Sequence, residues 1–247
     1  MRNLRFIAIA ILFYLIATIS IFVYILAEIS PRVFLNPAGR LFLLGVFCVL
    51  TYIGSRILCK TPSISKSKVI KTTFFVYFIL YSLLLATFTL LDPMFGRNVQ
   101  IGFIFSDPVI LKKYLKNSCN IIPFATILEY IRALLTQSMN FSTIATNLLG
   151  NLVALTPMAL FLPMFIKKCE KLKYFVLFTS VAVIVIELLQ LVFAIGSCDI
   201  DDLILNVSGA CVAFIILKAK PIKRVINILI PNDEQRDCSA VSLRQDG

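Results

Sequence analysis

The chain has 247 residues, of which 59% are hydrophobic and only 15% charged, and its formal net charge is +11. Soluble globular proteins run at roughly 45–50% apolar and about 25% charged, and one core in a chain of this length cannot hide such an excess. A water-soluble enzyme, a disordered chain and a coiled coil are excluded, which leaves an all-α, polytopic membrane protein.

Apolar runs occupy Phe6–Ala27, Leu41–Leu58, Val69–Leu91, Leu148–Ile166, Tyr174–Ile195 and Leu203–Leu217. In lipid the backbone must satisfy its own hydrogen bonds, so each run predicts a transmembrane helix, six in all. The last is short and gains a turn from Asp201 and Asp202 at its start. The first follows Arg2 and Arg5 but is too long for a signal-peptide core and lacks a small-x-small cleavage pattern, so it is read as an uncleaved anchor. Three regions follow: residues 1–97 with three crossings, 98–217 with three more, and a cytoplasmic tail over 218–247.

Orientation comes from Lys and Arg. With the N-terminus inside, seventeen of the 24 basic residues fall on the cytoplasmic side, concentrated in Lys60–Lys71, Lys167–Lys173 and Lys218–Arg224. The other seven are Arg32, Arg40, Arg97, Lys112, Lys113, Lys116 and Arg132, most of them in one long loop that counts little. The expectation is a multi-pass protein of the cell membrane with both termini in the cytoplasm. This pattern of charges flanking apolar runs also argues against nucleic acid as a partner.

The long outer segment, about Asp92–Asn147, holds one predicted helix. Asn120–Ile121–Ile122–Pro123–Phe124 reads as its start, because Pro is tolerated in a first turn. Ile127, Leu128, Ile131, Leu134 and Leu135 then recur at helical spacing, with Glu129 and Arg132 on another face. Such a helix lies in the outer interface, re-enters between the crossings, or simply packs on them.

Several residue types are missing. The chain has no His, hence no imidazole base and no His-ligated metal, and no Trp, so any aromatic belt uses Tyr and Phe. Its seven Cys, at 48, 59, 119, 169, 198, 211 and 238, form no C-x-x-C and read as small buried hydrophobes.

Polar residues inside crossing helices are costly and by default suggest function. Asn147 and Asn151 share a face at the outer end of the fourth crossing, with Gly150 between them to permit close helix approach. Pro157 and Pro163 should kink that helix and free carbonyls for neighbours. Glu187 and Gln190 lie three apart in the outward half of the fifth crossing. Asp199, Asp201 and Asp202 fill the short outer loop, and Asn206 lies one turn into the sixth crossing. These eight are the candidate ligand-binding residues, and one shared outer pocket is expected. Plainer roles stand beside that reading: the aspartates can cap a helix start, and the asparagines can bridge helices.

The stretch Asn120–Ile127, then Asn147–Leu148–Leu149–Gly150–Asn151, Pro157, Pro163, Glu187-x-x-Gln190, and Asp199–Asn206 with Gly209 resembles the VanZ-like membrane proteins. The resemblance covers roughly residues 120–217 and leaves the first three crossings outside. Many members carry an Arg shortly before the aspartates, where this chain has Gly196–Ser197, and Gly two residues after the first proline, where Ala159 stands here. What the resemblance implies is a membrane protein that lessens the action of lipoglycopeptide antibiotics such as teicoplanin at the outer membrane surface.

Three mechanisms fit these residues. The first is a non-enzymatic factor without a cofactor, whose pocket binds a membrane lipid, a lipid-linked wall precursor or the antibiotic itself. The second is an intramembrane enzyme on a phosphate-bearing lipid, with Asp199, Asp201 and Asp202 holding Mg²⁺ and with Glu187 and Asp202 as catalytic carboxylates. The third is a structural assembly partner.

Overall fold

The fold is that of a computed structural model describing residues 2–29, 37–91, 108–193 and 195–230. Among these residues the chain is helical almost throughout: α1 (Arg2–Ile29), α2 (Pro37–Leu58), α3 (Lys66–Ala86), α4 (Pro108–Ser118), α5 (Ala125–Thr136), α6 (Phe141–Ala154), α7 (Met158–Phe165), α8 (Leu172–Val192), α9 (Ile200–Lys218) and α10 (Lys220–Leu229). Two strands of two residues, β1 (Cys119–Asn120) and β2 (Cys198–Asp199), pair in parallel, with Cys119 opposite Cys198 and Asn120 opposite Asp199. Six helical stretches are long and apolar enough to cross a membrane: Asn3–Ala27, Gly39–Leu58, Lys66–Leu90, Phe141–Phe165, Leu172–Val192 and Ile200–Lys218. The protein is therefore a helical membrane protein of the six-crossing kind.

The chain divides into two compact units, Met1–Ile79 with Arg224–Gly247, and Leu80–Lys223. The expected boundary at residues 97–98 lies outside the described residues, as do Arg32, Arg97, Arg236, Cys238 and Arg244.

The first unit is joined by hydroxyl groups. Ser55, fully buried, lies 2.9 Å from the Tyr14 hydroxyl and 2.6 Å from that of Thr73, linking α1, α2 and α3. Tyr77 donates to the Cys48 carbonyl at 2.6 Å and meets Thr51 at 2.8 Å. A Cβ at Gly54 would stand 3.2 Å from Phe13 and Tyr14, so α1 and α2 meet closely there. The polar groups are spaced among apolar residues and need each other because lipid offers them no partner.

In the second unit α3 finishes in a π-helical turn, Thr87–Leu91, whose two threonine hydroxyls donate to the carbonyls of Leu83 and Leu85. The kink expected from Pro157 is a full break: α6 stops at Ala154, and α7 starts at Met158 with Pro163 inside it. Pro157 has no N–H to give. The Ala154 carbonyl beside the break accepts instead from the Tyr81 hydroxyl at 2.5 Å. α9 packs chiefly on α6 and α8. Its closest approach is at Gly209, where an added Cβ would lie 1.7 Å from the Leu152 carbonyl oxygen. The small-residue contact expected at Gly150 is not found among the described residues, none of which stands within 4 Å of a Cβ at that position. α4 was not legible in the sequence. Its Tyr114 hydroxyl donates to the Gly196 carbonyl at 2.9 Å.

Candidate functional site

The site forms where α8 ends and α9 begins. β2 runs straight into α9, and Asp199 is the helix N-cap: its Oδ1 accepts from the Asp201 N–H at 2.9 Å. The same oxygen accepts from Asn120 Nδ2 at 3.1 Å, and Oδ2 accepts from the Thr126 hydroxyl at 2.5 Å. Asn120 Oδ1 accepts the Ile122 N–H at 3.1 Å, the local turn in which asparagine imitates a backbone carbonyl. Pairing of β1 with β2 thus fixes the start of α5 to the start of α9.

Asp201 completes that junction. It is fully buried, and its two oxygens accept the N–H groups of Phe124 at 2.5 Å and Ile127 at 3.1 Å. Those donors belong to the start of α5, where a helix leaves N–H groups unpaired and a carboxylate meets the positive end of the dipole. Phe124 sits at φ 67°, a left-handed conformation that a bulky side chain adopts at a cost. The carboxylate of a distant helix holds it there.

The other candidates turn to a small cleft lined by Asn151, Glu187, Gln190, Asp202 and Asn206, with apolar walls from Leu85, Ala154, Leu155, Val183 and Ile186. Glu187, 7% exposed, accepts the Asp199 N–H through Oε2 at 3.0 Å. Asn151 Nδ2 donates to Asp202 Oδ1, and Asn206 Nδ2 donates to the Asp202 backbone carbonyl at 2.8 Å. Gln190 Nε2 donates to the Thr89 carbonyl at 2.8 Å, in the π-helical turn. No Lys or Arg is among the described residues lining the cleft.

The structure therefore separates the eight candidates into three groups. Five meet around the cleft. Asp199 and Asp201 serve the α5–α9 junction, a capping role that uses both oxygens of each. Asn147 is exposed and does not line the cleft, its Nδ2 donating to the Thr143 carbonyl one turn back at 2.9 Å. Among the described residues no three His, Cys, Asp or Glu side chains are grouped to hold a metal ion.

Some contributors had little or no signal in the sequence. Thr126 lies next to the Asn120–Phe124 run but reads as an ordinary helix residue. Thr89 acts through its main chain, which leaves no trace in side-chain type. Tyr130 of α5 has its hydroxyl pKa raised by burial first, then by the negative charges of Asp202, Asp199 and Glu129. The Cys198 thiol is pushed up in the same way, by burial and then by Glu187, Cys119, Asp199 and Asp202. At both groups burial is the larger cause and the negative neighbours add to it.

No curated protein and no solved structure matches the chain. A family model does, over residues 78–224, and its description is VanZ/LLP1. The match runs further upstream than residue 120 and takes in the end of α3, which supplies Leu85 and the turn bearing Thr89 to the cleft. It spans the second unit nearly end to end and covers more than half of the chain, and on that ground the protein belongs to the VanZ/LLP1 family.

Proposed function

We propose that the cleft binds the headgroup of an amphiphile at the outer face of the cell membrane, and that this binding lessens the action of lipoglycopeptide antibiotics such as teicoplanin. The carrying observation is the lining: two carboxylates and three amides set in apolar walls, without a basic side chain among the described residues. A site of that kind favours a cationic group on an apolar body, because desolvated carboxylates are stabilised by positive charge and repel bare phosphate. The ligand class is an amine-bearing lipid, an amine-bearing lipid-linked wall precursor, or the antibiotic through an amino group. Glu187 and Asp202 hold the charge, while Asn151, Gln190 and Asn206 hold the carboxylates and the headgroup in register. The protein acts by binding, without a cofactor. The outward direction of the cleft follows from the basic residues, which concentrate at the opposite ends of the same helices, with both termini in the cytoplasm.

The test is native mass spectrometry of the full-length protein in detergent. An amine-bearing lipid should copurify with wild type and be lost in Glu187→Gln and Asp202→Asn, both of which keep side-chain size. Copurification of a purely anionic lipid together with Mg²⁺ would overturn this reading and favour a phospholipid-processing enzyme.

A further inference from the structure

α9 ends at Ala219, whose ψ of 136° leaves the helical region, and α10 starts at the next residue. Pro221 lies in the first turn of α10, where its missing N–H costs nothing. The ten residues of α10 rise about 15 Å, half the hydrocarbon thickness, so it cannot cross. Its residues sort by face. Ile222, Val225, Ile226 and Leu229 recur at helical spacing, while Lys220, Lys223, Arg224 and Asn227 lie opposite and Ile228 stands at the border beside Arg224. No residue of α10 is buried, and on the stripe Val225 is 55% exposed and Leu229 40%. Its last turn is fixed, because the Tyr52 hydroxyl donates to the Leu229 carbonyl at 3.1 Å and Arg56 Nη1 to that of Ile228 at 3.0 Å. Those carbonyls have no partner within a helix, and the guanidinium also meets the negative end of the dipole. A fixed amphipathic helix with an uncovered apolar stripe therefore leaves the end of a membrane span.

We propose that α10 is an interfacial anchor whose apolar stripe sits at the acyl boundary of the membrane and whose Lys220, Lys223 and Arg224 bind anionic phospholipid headgroups. Two observations select a lipid surface over a protein partner. The preceding crossing ends at Lys218, so α10 begins at the level where the hydrocarbon stops. The face opposite the stripe carries three cations and no carboxylate, the complement of an anionic leaflet.

The test uses the full chain with its seven native cysteines replaced, carrying a fluorophore on Val225→Cys or on Lys223→Cys, which stand on opposite faces of α10. Each is reconstituted into phosphatidylcholine vesicles with or without phosphatidylglycerol. The label at 225 should be quenched by nitroxide lipids and shielded from iodide, and the label at 223 should show the reverse. In the unmodified chain, amide exchange across α10 should slow when phosphatidylglycerol is added, by about fivefold for each basic side chain engaged. Iodide quenching at 225 equal to that at 223 would overturn the proposal. So would shielding of 225 from both quenchers, which means that protein covers the stripe, or exchange indifferent to anionic lipid.

Discussion

The Asp199 N–H donates to the Glu187 carboxylate across 3.0 Å, so the end of α8 is joined to the start of α9 by an acid that also lines the cleft. One oxygen therefore accepts a hydrogen bond that either a carboxylate or an amide could accept. What only the carboxylate adds is charge and a second acceptor oxygen. Structure and function can be separated at this residue by a one-atom change.

Asp201 is expected to behave in the opposite way. Its carboxylate pairs the N–H groups of Phe124 and Ile127 in a buried setting, and removing it strands both donors. Asp201→Ala should cost about 1–3 kcal/mol for each donor left unpaired, whereas Asp201→Asn, which keeps one acceptor oxygen, should cost less. Thermal unfolding in detergent measures the ranking, and hydrogen exchange should localise the loss to the first turn of α5. Equal stability of Asp201→Ala and wild type would contradict the capping role.

Two glycines should separate cleanly. A methyl at Gly209 would lie 1.7 Å from the Leu152 carbonyl oxygen, a backbone atom that can yield only by moving α6 from α9. Overpacking typically costs about 1–3 kcal/mol, and Gly209→Ala should reach at least that and lower the folded yield in membranes. Gly150→Ala meets nothing within 4 Å and should be neutral or slightly stabilising through higher helix propensity. Size-exclusion profiles and melting temperatures of the two variants decide this.

Cys198 offers a chemical probe of the negative surrounding. Burial and the nearby Glu187, Cys119, Asp199 and Asp202 raise its thiol pKa, so less thiolate is present at any given pH than for an ordinary cysteine. In a chain retaining only Cys198, alkylation should be slower than for a free thiol at pH 8, and its pH profile should move to higher pH. Glu187→Gln removes one negative neighbour and should shift the profile back toward lower pH. An alkylation rate equal to that of a free thiol, unchanged by the substitution, would contradict the assignment.

Topology is open to a labelling scan. The clusters Lys60–Lys71 and Lys167–Lys173 are expected in the cytoplasm and Gln137–Met139 outside. In a background without native cysteines, an impermeant thiol reagent on intact cells should label Ser138→Cys and spare Lys171→Cys. Labelling at 171 would reverse the orientation.

The crossings were legible because hydropathy is a property of each stretch by itself, independent of what it packs against. Start and stop positions moved by a few residues where a cap or a break decided them, as at Asp199 and Pro157. The site was legible by half. The i, i+4 and i, i+3 spacings put Asn151, Glu187, Gln190, Asp202 and Asn206 on recognisable faces, and those five meet around the cleft. The difference between Asp202 and its neighbours was not readable, since it depends on the Thr126 hydroxyl and the Phe124 and Ile127 N–H groups that the β1–β2 pairing brings near Asp199 and Asp201. Asn147, one turn from Asn151, stays exposed outside the cleft and turns its amide back to the Thr143 carbonyl. Gly150 and Gly209 look alike in sequence, and only the facing helix makes one of them indispensable.

The most direct test of the central claim is lipoglycopeptide susceptibility of cells expressing wild type or Glu187→Gln at matched membrane levels. Gln keeps an acceptor for the Asp199 N–H, so abundance and melting temperature should be retained. Protection should fall to that of cells lacking the protein, because a neutral amide cannot hold a cationic headgroup. Full protection by Glu187→Gln would show the charge to be dispensable, and an absence of protection by wild type would contradict the proposed function itself.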